Sequence, residues 1–204
     1  MLGMLIDALQ FGLEILAGLF EPRLENDPLR LGRSYFMSVV QFEALPDHSR
    51  VWVFGSDRTL DANQEKTLMS TVDPFLQQWK AHGADLTVGR DWRARRFLTI
   101  AVDQSTAGAS GCSIDGLFRT LKSLEPKLGA SMVTSGLIFY KDSNGAVQSV
   151  SREGFTELGA KGQVGPQTRV FDTTVTSLAE WRARFELDLK ESWHARLARQ
   201  KQSV

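Results

Sequence analysis

The run Phe97-Leu98-Thr99-Ile100-Ala101-Val102 is apolar everywhere except Thr99 and shows none of the alternation of a strand with one wet face. A continuous apolar run of this length reads as a strand buried on both sides. Val51-Trp52-Val53-Phe54, bounded by Arg50 and by Gly55-Ser56-Asp57, reads the same way. Between the two, Asp61 and Gln64 have the spacing of a capping box, and Leu68, Val72, Leu76 and Trp79 give a helical face running to His82-Gly83. Pro74 lies inside that run, and Asp73 is placed to recap a kink there. Leu86 and Val88 alternate with polar residues as an edge-like strand, and Arg90 to Arg96 reads as the turn that follows.

Beyond the run, Ile114, Leu117, Phe118, Leu121 and Leu124 recur at helical spacing from about Ser113 to Leu128-Gly129, and Gly136 to Tyr140 reads as a strand. The order strand, helix, strand, strand, helix, strand is that of a ferredoxin-like α+β sandwich with its first and third strands central. Helices cover only one face of such a sheet, so strands apolar on both sides require a second cover. The later chain is the expected one, with a homodimer partner on the open sheet face as the alternative.

In that later chain, Asn144-Gly145 is a two-residue hairpin signal, so Ala146 to Val150 should add a strand. Glycines at 154, 159, 162 and 165 read as loop punctuation, and Arg169 to Asp172 as a short strand. Ser177 and Glu180 have capping-box spacing ahead of Leu178, Trp181, Phe185, Leu189, Trp193 and Leu197, which predicts a C-terminal amphipathic helix. Residues 37–198 are thus expected to form one α+β domain, and residues 199–204 a polar tail.

Residues 1–36 are expected to be an N-terminal extension. Met1 to Phe20 is largely apolar, but Asp7, Gln10 and Glu14 fall on one helical stripe, the pattern of an amphipathic helix and not of a membrane span. No cationic n-region marks a secretory signal, and an acidic polar face disfavours anionic lipid. Glu21-Pro22 ends the pattern, Leu24 to Arg33 reads as linker, and Met37 is an alternative start.

The 204 residues carry 24 Lys+Arg against 24 Asp+Glu with 42% hydrophobic side chains, which is ordinary for a globular domain and gives no basic excess for general nucleic-acid binding. One cysteine allows no internal disulfide, and with three scattered histidines it points to no metal site. A cytoplasmic setting is expected. No phosphate loop, dinucleotide fingerprint or hydrolase elbow is present, and no cofactor is expected.

What remains is Ser110-Gly111-Cys112-Ser113-Ile114-Asp115, where the sole thiol meets two hydroxyls and a carboxylate at the start of a helix. Unpaired N–H groups and the positive end of the macrodipole favour an anion or a thiolate at such a place. The favoured expectation is therefore a site for a phosphate- or carboxylate-bearing small molecule, a nucleotide or an RNA end. It would be lined by Ser110, Gly111, Ser113 and Asp115, with Arg96 and Arg119 as charge partners. One alternative is an enzyme with Cys112 as nucleophile, His194 or His82 as base, and Asp103 nearby. Another is a scaffold or interaction domain.

Trp52, Phe75-Leu-x-x-Trp79-x-x-His82-Gly83, Arg96-Phe97, Ala101-Val-Asp103, Ser110 to Asp115 with Arg119, Val170-Phe-Asp172 and Ser192-Trp-His194 together resemble an uncharacterised bacterial family common in Bacteroidetes. Its members are often labelled "ABC transporter ATPase". The resemblance covers roughly Phe42 to Leu197, and those proteins begin close to the position of Met37. It supplies shared positions and no activity. The label conflicts with a chain that lacks the glycine-rich loop and lysine such an ATPase uses to hold phosphates.

Overall fold

The computed structural model describes residues 39–105 and 107–198, so the expected N-terminal extension and the polar tail lie outside the described residues. In chain order the elements are β1 (Arg50–Gly55), α1 (Ala62–Gln77), β2 (Lys80–Ala81), β3 (Ala84–Asp85), β4 (Thr87–Arg93), β5 (Phe97–Asp103) and α2 (Gly111–Leu128). There follow β6 (Ile138–Lys141), β7 (Val147–Val150), α3 (Arg152–Ala160), β8 (Arg169–Phe171), α4 (Leu178–Arg184), β9 (Glu186–Asp188) and α5 (Ala195–Ala198). The protein is mixed α and β with antiparallel sheets.

β5 is the middle of a three-stranded sheet of order β1-β5-β4, and all of its residues from Phe97 to Val102 are buried. Its side chains part by the strand's two-residue period. Leu98, Ile100 and Val102 meet Leu68, Val72 and Leu76 of α1 and Leu117, Leu121, Leu124 and Leu128 of α2. Phe97 and Ala101 turn to the other face, which the later chain covers with Phe139, Phe171, Leu178, Trp181 and Phe185. There the Phe97 ring lies 5.0 Å from Phe139, 4.7 Å from Phe171 and 5.3 Å from Phe185, each such pair adding about 0.5–1.5 kcal/mol beyond its burial. Thr99, the one polar residue of the run, accepts a hydrogen bond from Trp181 Nε1 at 3.1 Å.

A ferredoxin-like order would put the strand after α2 beside β1. β6 instead joins a second sheet of order β7-β6-β8-β9, and β1 stays at an edge of the first. Ile138, Tyr140 and Val170 on the outer face of that second sheet pack against Phe155 and Leu189, building a third core.

Three local expectations are corrected. The first helix stops at Gln77, and His82-Gly83 is the turn of the β2–β3 hairpin, with both residues at positive φ. The expected arginine-rich turn is mostly strand: Arg90 to Arg93 continue β4, and the turn is Ala94-Arg95, again left-handed at both positions. The glycine-punctuated loop begins as helix α3, capped by the Ser151 hydroxyl. Gly159 serves close approach there, since a Cβ would sit 2.4 Å from the Ala198 carbonyl oxygen.

The predicted long C-terminal helix is also interrupted. Ser177 caps α4 as its sequence suggests, but Glu180 returns to the Thr176 amide, and the helix ends at Arg184. Residues 186–188 then complete the second sheet, where Glu186 meets Lys141 Nζ at 2.6 Å and Arg169 Nε at 3.3 Å. Pairing and ion pairs outweigh a helical period that is locally just as regular.

Gly55, at the end of β1, lets the two sheets approach: a Cβ there would lie 2.4 Å from Phe139 Cζ. Gly55→Ala should lower the unfolding free energy in urea by about 1–3 kcal/mol, the usual cost of overpacking. Phe139→Leu in the same chain should return part of that loss, a non-additivity that a double-mutant cycle measures.

Candidate functional site

Ser110 caps α2, its hydroxyl accepting from the Ser113 amide at 3.3 Å, while the Ser113 hydroxyl donates back to the Ser110 carbonyl at 2.8 Å. Gly111, Cys112 and Asp115 are exposed on the first turn, and Arg119 is exposed farther along α2. Behind this turn, Trp79 Nε1 donates to the Ser113 carbonyl at 2.9 Å, fixing α2 to the end of α1.

Asp103 closes β5 at the same end of the sheet, and the Ser105 hydroxyl and amide, followed by His48, hold its carboxyl below the usual carboxylate range. His48, which reads as a plain loop residue, places Nε2 at 3.2 Å from Asp103 and 2.9 Å from the Ser105 hydroxyl.

Other predicted residues serve elsewhere. Arg96 is only 3% exposed, and its guanidinium donates to the carbonyls of Ser56 at 3.2 Å, Asp57 at 2.6 Å and Val147 at 2.5 Å, and to the Ser149 hydroxyl at 2.9 Å. With four bonds made to the fold, it is a clamp between the β1–α1 loop and β7. Arg90 is paired with Asp73, and Arg93 lies 4.5 Å above the Trp181 ring, so the arginine cluster is largely spent on packing. His82 is exposed on the β2–β3 turn.

His194 is 1% exposed in the third core, with Nδ1 at 2.6 Å from the Ser192 hydroxyl and its ring stacked on Trp193 at 3.8 Å. It packs near Phe155 and belongs to the outer face of the second sheet, whereas Cys112 stands on the helix layer of the first. The described contacts therefore do not bring Cys112, His194 and His82 together as nucleophile and base. Among the described residues no cluster of three or more His, Cys, Asp or Glu could hold a metal ion. No described helix is long and apolar enough to cross a membrane.

The place next to β1 carries more. A cleft of about 280 Å³ is lined by Arg50 to Phe54 of β1, Phe118 of α2, Met132 to Thr134, and Thr173 to Thr176. Alternate residues of an antiparallel edge strand turn their N–H and C=O away from the sheet. Val51 is such a residue, since its amide donates to the Thr176 carbonyl at 2.9 Å. Two residues on, Val53 has the same orientation, and Gly55 turns its carbonyl to the Thr134 hydroxyl at 3.1 Å.

Val53 is thus the open rung between two occupied ones. Phe118, at 36% the exposed large apolar side chain of the described residues, stands on the cleft wall with its ring 5.2 Å from Phe54. Arg50 lies 4.8 Å above the Trp52 ring and has no carboxylate partner among the described residues.

Sequence reading missed this cleft. Phe118 falls on the apolar stripe of α2 and counts there as core, Arg50 reads as a strand boundary, and the threonines 134, 173, 174 and 176 carry no spacing signal. Comparison of the chain with protein-family models, curated proteins and solved structures finds no match.

Burial pushes His194 down to about 4, with Arg152 and Arg196 adding to it and Asp172 opposing. The folded protein therefore keeps this ring neutral while an unfolded chain protonates it near 6.5, so stability is full above pH 6.5 and falls as pH drops toward 4. Thermal melts across that window should show the decline, and His194→Gln should flatten it relative to the unsubstituted protein. Parallel slopes in the two proteins would assign the decline to other groups.

Proposed function

We propose that this protein binds a ligand with an apolar body and an anionic head in the cleft along the open edge of β1. The favoured ligand chemistry is the one its sequence suggests, a carboxylate or phosphate, moved from the start of α2 to a neighbouring place. We further read the first half of the chain as a ferredoxin-like unit whose last strand has gone to the second sheet, the cleft standing where that strand would lie.

The observation that carries the proposal is the conjunction of an open backbone rung at Val53 with an exposed Phe118 and an Arg50 that has no carboxylate partner among the described residues, around one concavity. Burying the exposed part of Phe118 against a ligand supplies roughly 25 cal/mol per Å² of apolar surface removed from water. A guanidinium held against an indole ring is partly desolvated and already oriented, so it meets an anion with little further ordering. Of the cleft's threonine hydroxyls, those of Thr134, Thr174 and Thr176 already donate to Gly55, Asp172 and Glu180, so they offer a ligand acceptor lone pairs and not donors. The cleft is near the lower end of the size range of small-molecule sites.

The start of α2 supports the same reading without providing the site. Arg50 pairs with Val102 across the sheet, so it stands at the end where β5 finishes and α2 begins. The helix dipole adds a favourable potential for an anion there.

A suitable probe is 8-anilinonaphthalene-1-sulfonate, which joins an aromatic body to an anionic head and brightens on entering an apolar site. It should bind saturably at one site and be displaced by octanoate. Phe118→Glu should abolish the saturable phase, and Arg50→Ala should weaken it about fivefold or less, one exposed charge pair being worth up to about 1 kcal/mol. Saturable binding that survives both substitutions unchanged would place the probe elsewhere and overturn the proposal.

A further inference from the structure

We infer that the occupant of the β1 cleft is the carboxyl-terminal end of a peptide, bound as a short strand antiparallel to β1 with its terminal carboxylate at Arg50. This rests on the cleft reading above and names the chemistry that its backbone selects.

Hydrogen-bond bookkeeping along the edge gives the length. The Val51 amide is taken by the Thr176 carbonyl, and Arg50 is bridged to Ser177, so an added strand cannot continue past that end. At the other end the Gly55 carbonyl is held by the Thr134 hydroxyl and the Asp57 amide by the Ser131 carbonyl, so the ligand chain pairs at Val53 alone and leaves the edge before Gly55. Between them Val53 offers one N–H and one C=O. A single ligand residue facing Val53 satisfies both, donating its own N–H to the Val53 carbonyl and accepting from the Val53 amide.

Direction and charge then agree. A strand antiparallel to β1 runs from the Gly55 side toward Arg50, and it must stop before Thr176. A chain that stops there presents its α-carboxylate near Arg50, which has no carboxylate partner among the described residues. The residue opposite Val53 is therefore penultimate. Phe118 stands on the face of the sheet that Trp52 and Phe54 share, so by the strand's two-residue period its exposed ring favours an apolar side chain on the last residue, opposite Trp52, while the penultimate side chain faces the other way with Val53. An internal peptide segment fits poorly, because its continuation would meet the backbone at Thr176 and Ser177. A simple fatty acid supplies the head and the body but leaves the Val53 rung unfilled.

The test uses three forms of one peptide, N-acetyl-Ala-Leu-Phe: the free acid, the C-terminal amide, and the free acid N-methylated at the leucine nitrogen. Each is titrated into the full chain by displacement of 8-anilinonaphthalene-1-sulfonate, with the Val53 amide followed by nitrogen–proton NMR. The free acid should displace the probe and shift the Val53 amide downfield. Amidation should weaken binding about fivefold or less and N-methylation about tenfold or less, and Arg50→Ala should erase the difference between acid and amide while leaving the effect of N-methylation. Equal displacement by all three forms, or none by any while octanoate still displaces the probe, would overturn the peptide inference and leave the cleft reading standing. Absence of saturable probe binding altogether would overturn both.

Discussion

One buried guanidinium sets the relation of the two sheets. Arg96 stands just before β5 and gives its N–H groups to carbonyls of the β1–α1 loop and of β7. Carbonyl groups sequestered at such a junction cost roughly 1–3 kcal/mol each if left without a donor, so one side chain that satisfies three of them holds the junction closed. It does so at the end of β1, where Gly55 lets Phe139 approach the backbone. The β6–β7 hairpin is thereby fastened across the face of the first sheet, against Phe97, and does not extend its edge. The open edge of β1 and the cleft beside it follow from that choice.

Much of the first sheet was legible because its signals are local and mutually consistent. Two uninterrupted apolar runs, a capping box at Asp61 and a Ser110 cap each name an element without needing its neighbours, and all of them are present in the structure. The demand for a second cover was legible too, since it follows from burial on both faces of β5. What covers that face is the later chain, through Phe139, Phe171 and Trp181. The sheet to which β6 belongs was not legible. That depends on Arg96 and on Gly55, and neither a buried arginine nor a close-approach glycine differs in sequence from an exposed arginine or a turn glycine.

The candidate site was legible only as a neighbourhood. The N-cap serine is present at the start of α2, with the cysteine and the aspartate exposed beside it, but Arg96, the cation assigned to them, faces inward. Arg50, the cation of the proposed cleft, shares a strand face with Trp52, two residues on, and is carried onto the indole ring. His194 illustrates the opposite failure. The sequence offers it as a catalytic base, whereas burial against Phe155 and the Ser192 hydroxyl makes it a neutral part of the third core.

The fold also explains why an edge can stay open without inviting uncontrolled pairing. A long exposed edge is a template for any chain, and proteins blunt such edges by covering, charging or shortening them. Here β1 is shortened from both ends, by the Thr176 carbonyl at Val51 and the Thr134 hydroxyl at Gly55, and a cation stands at one of those ends. A single free rung adds too little hydrogen bonding to stabilise another sheet against the entropy of ordering it, since each bond nets only about 0.5–1.5 kcal/mol. Occupancy must then come from what surrounds the rung: apolar surface at Phe118 and charge at Arg50. On the proposed reading, an edge reduced to this extent would discriminate among chains by their ends and side chains, backbone alone not being enough to be bound.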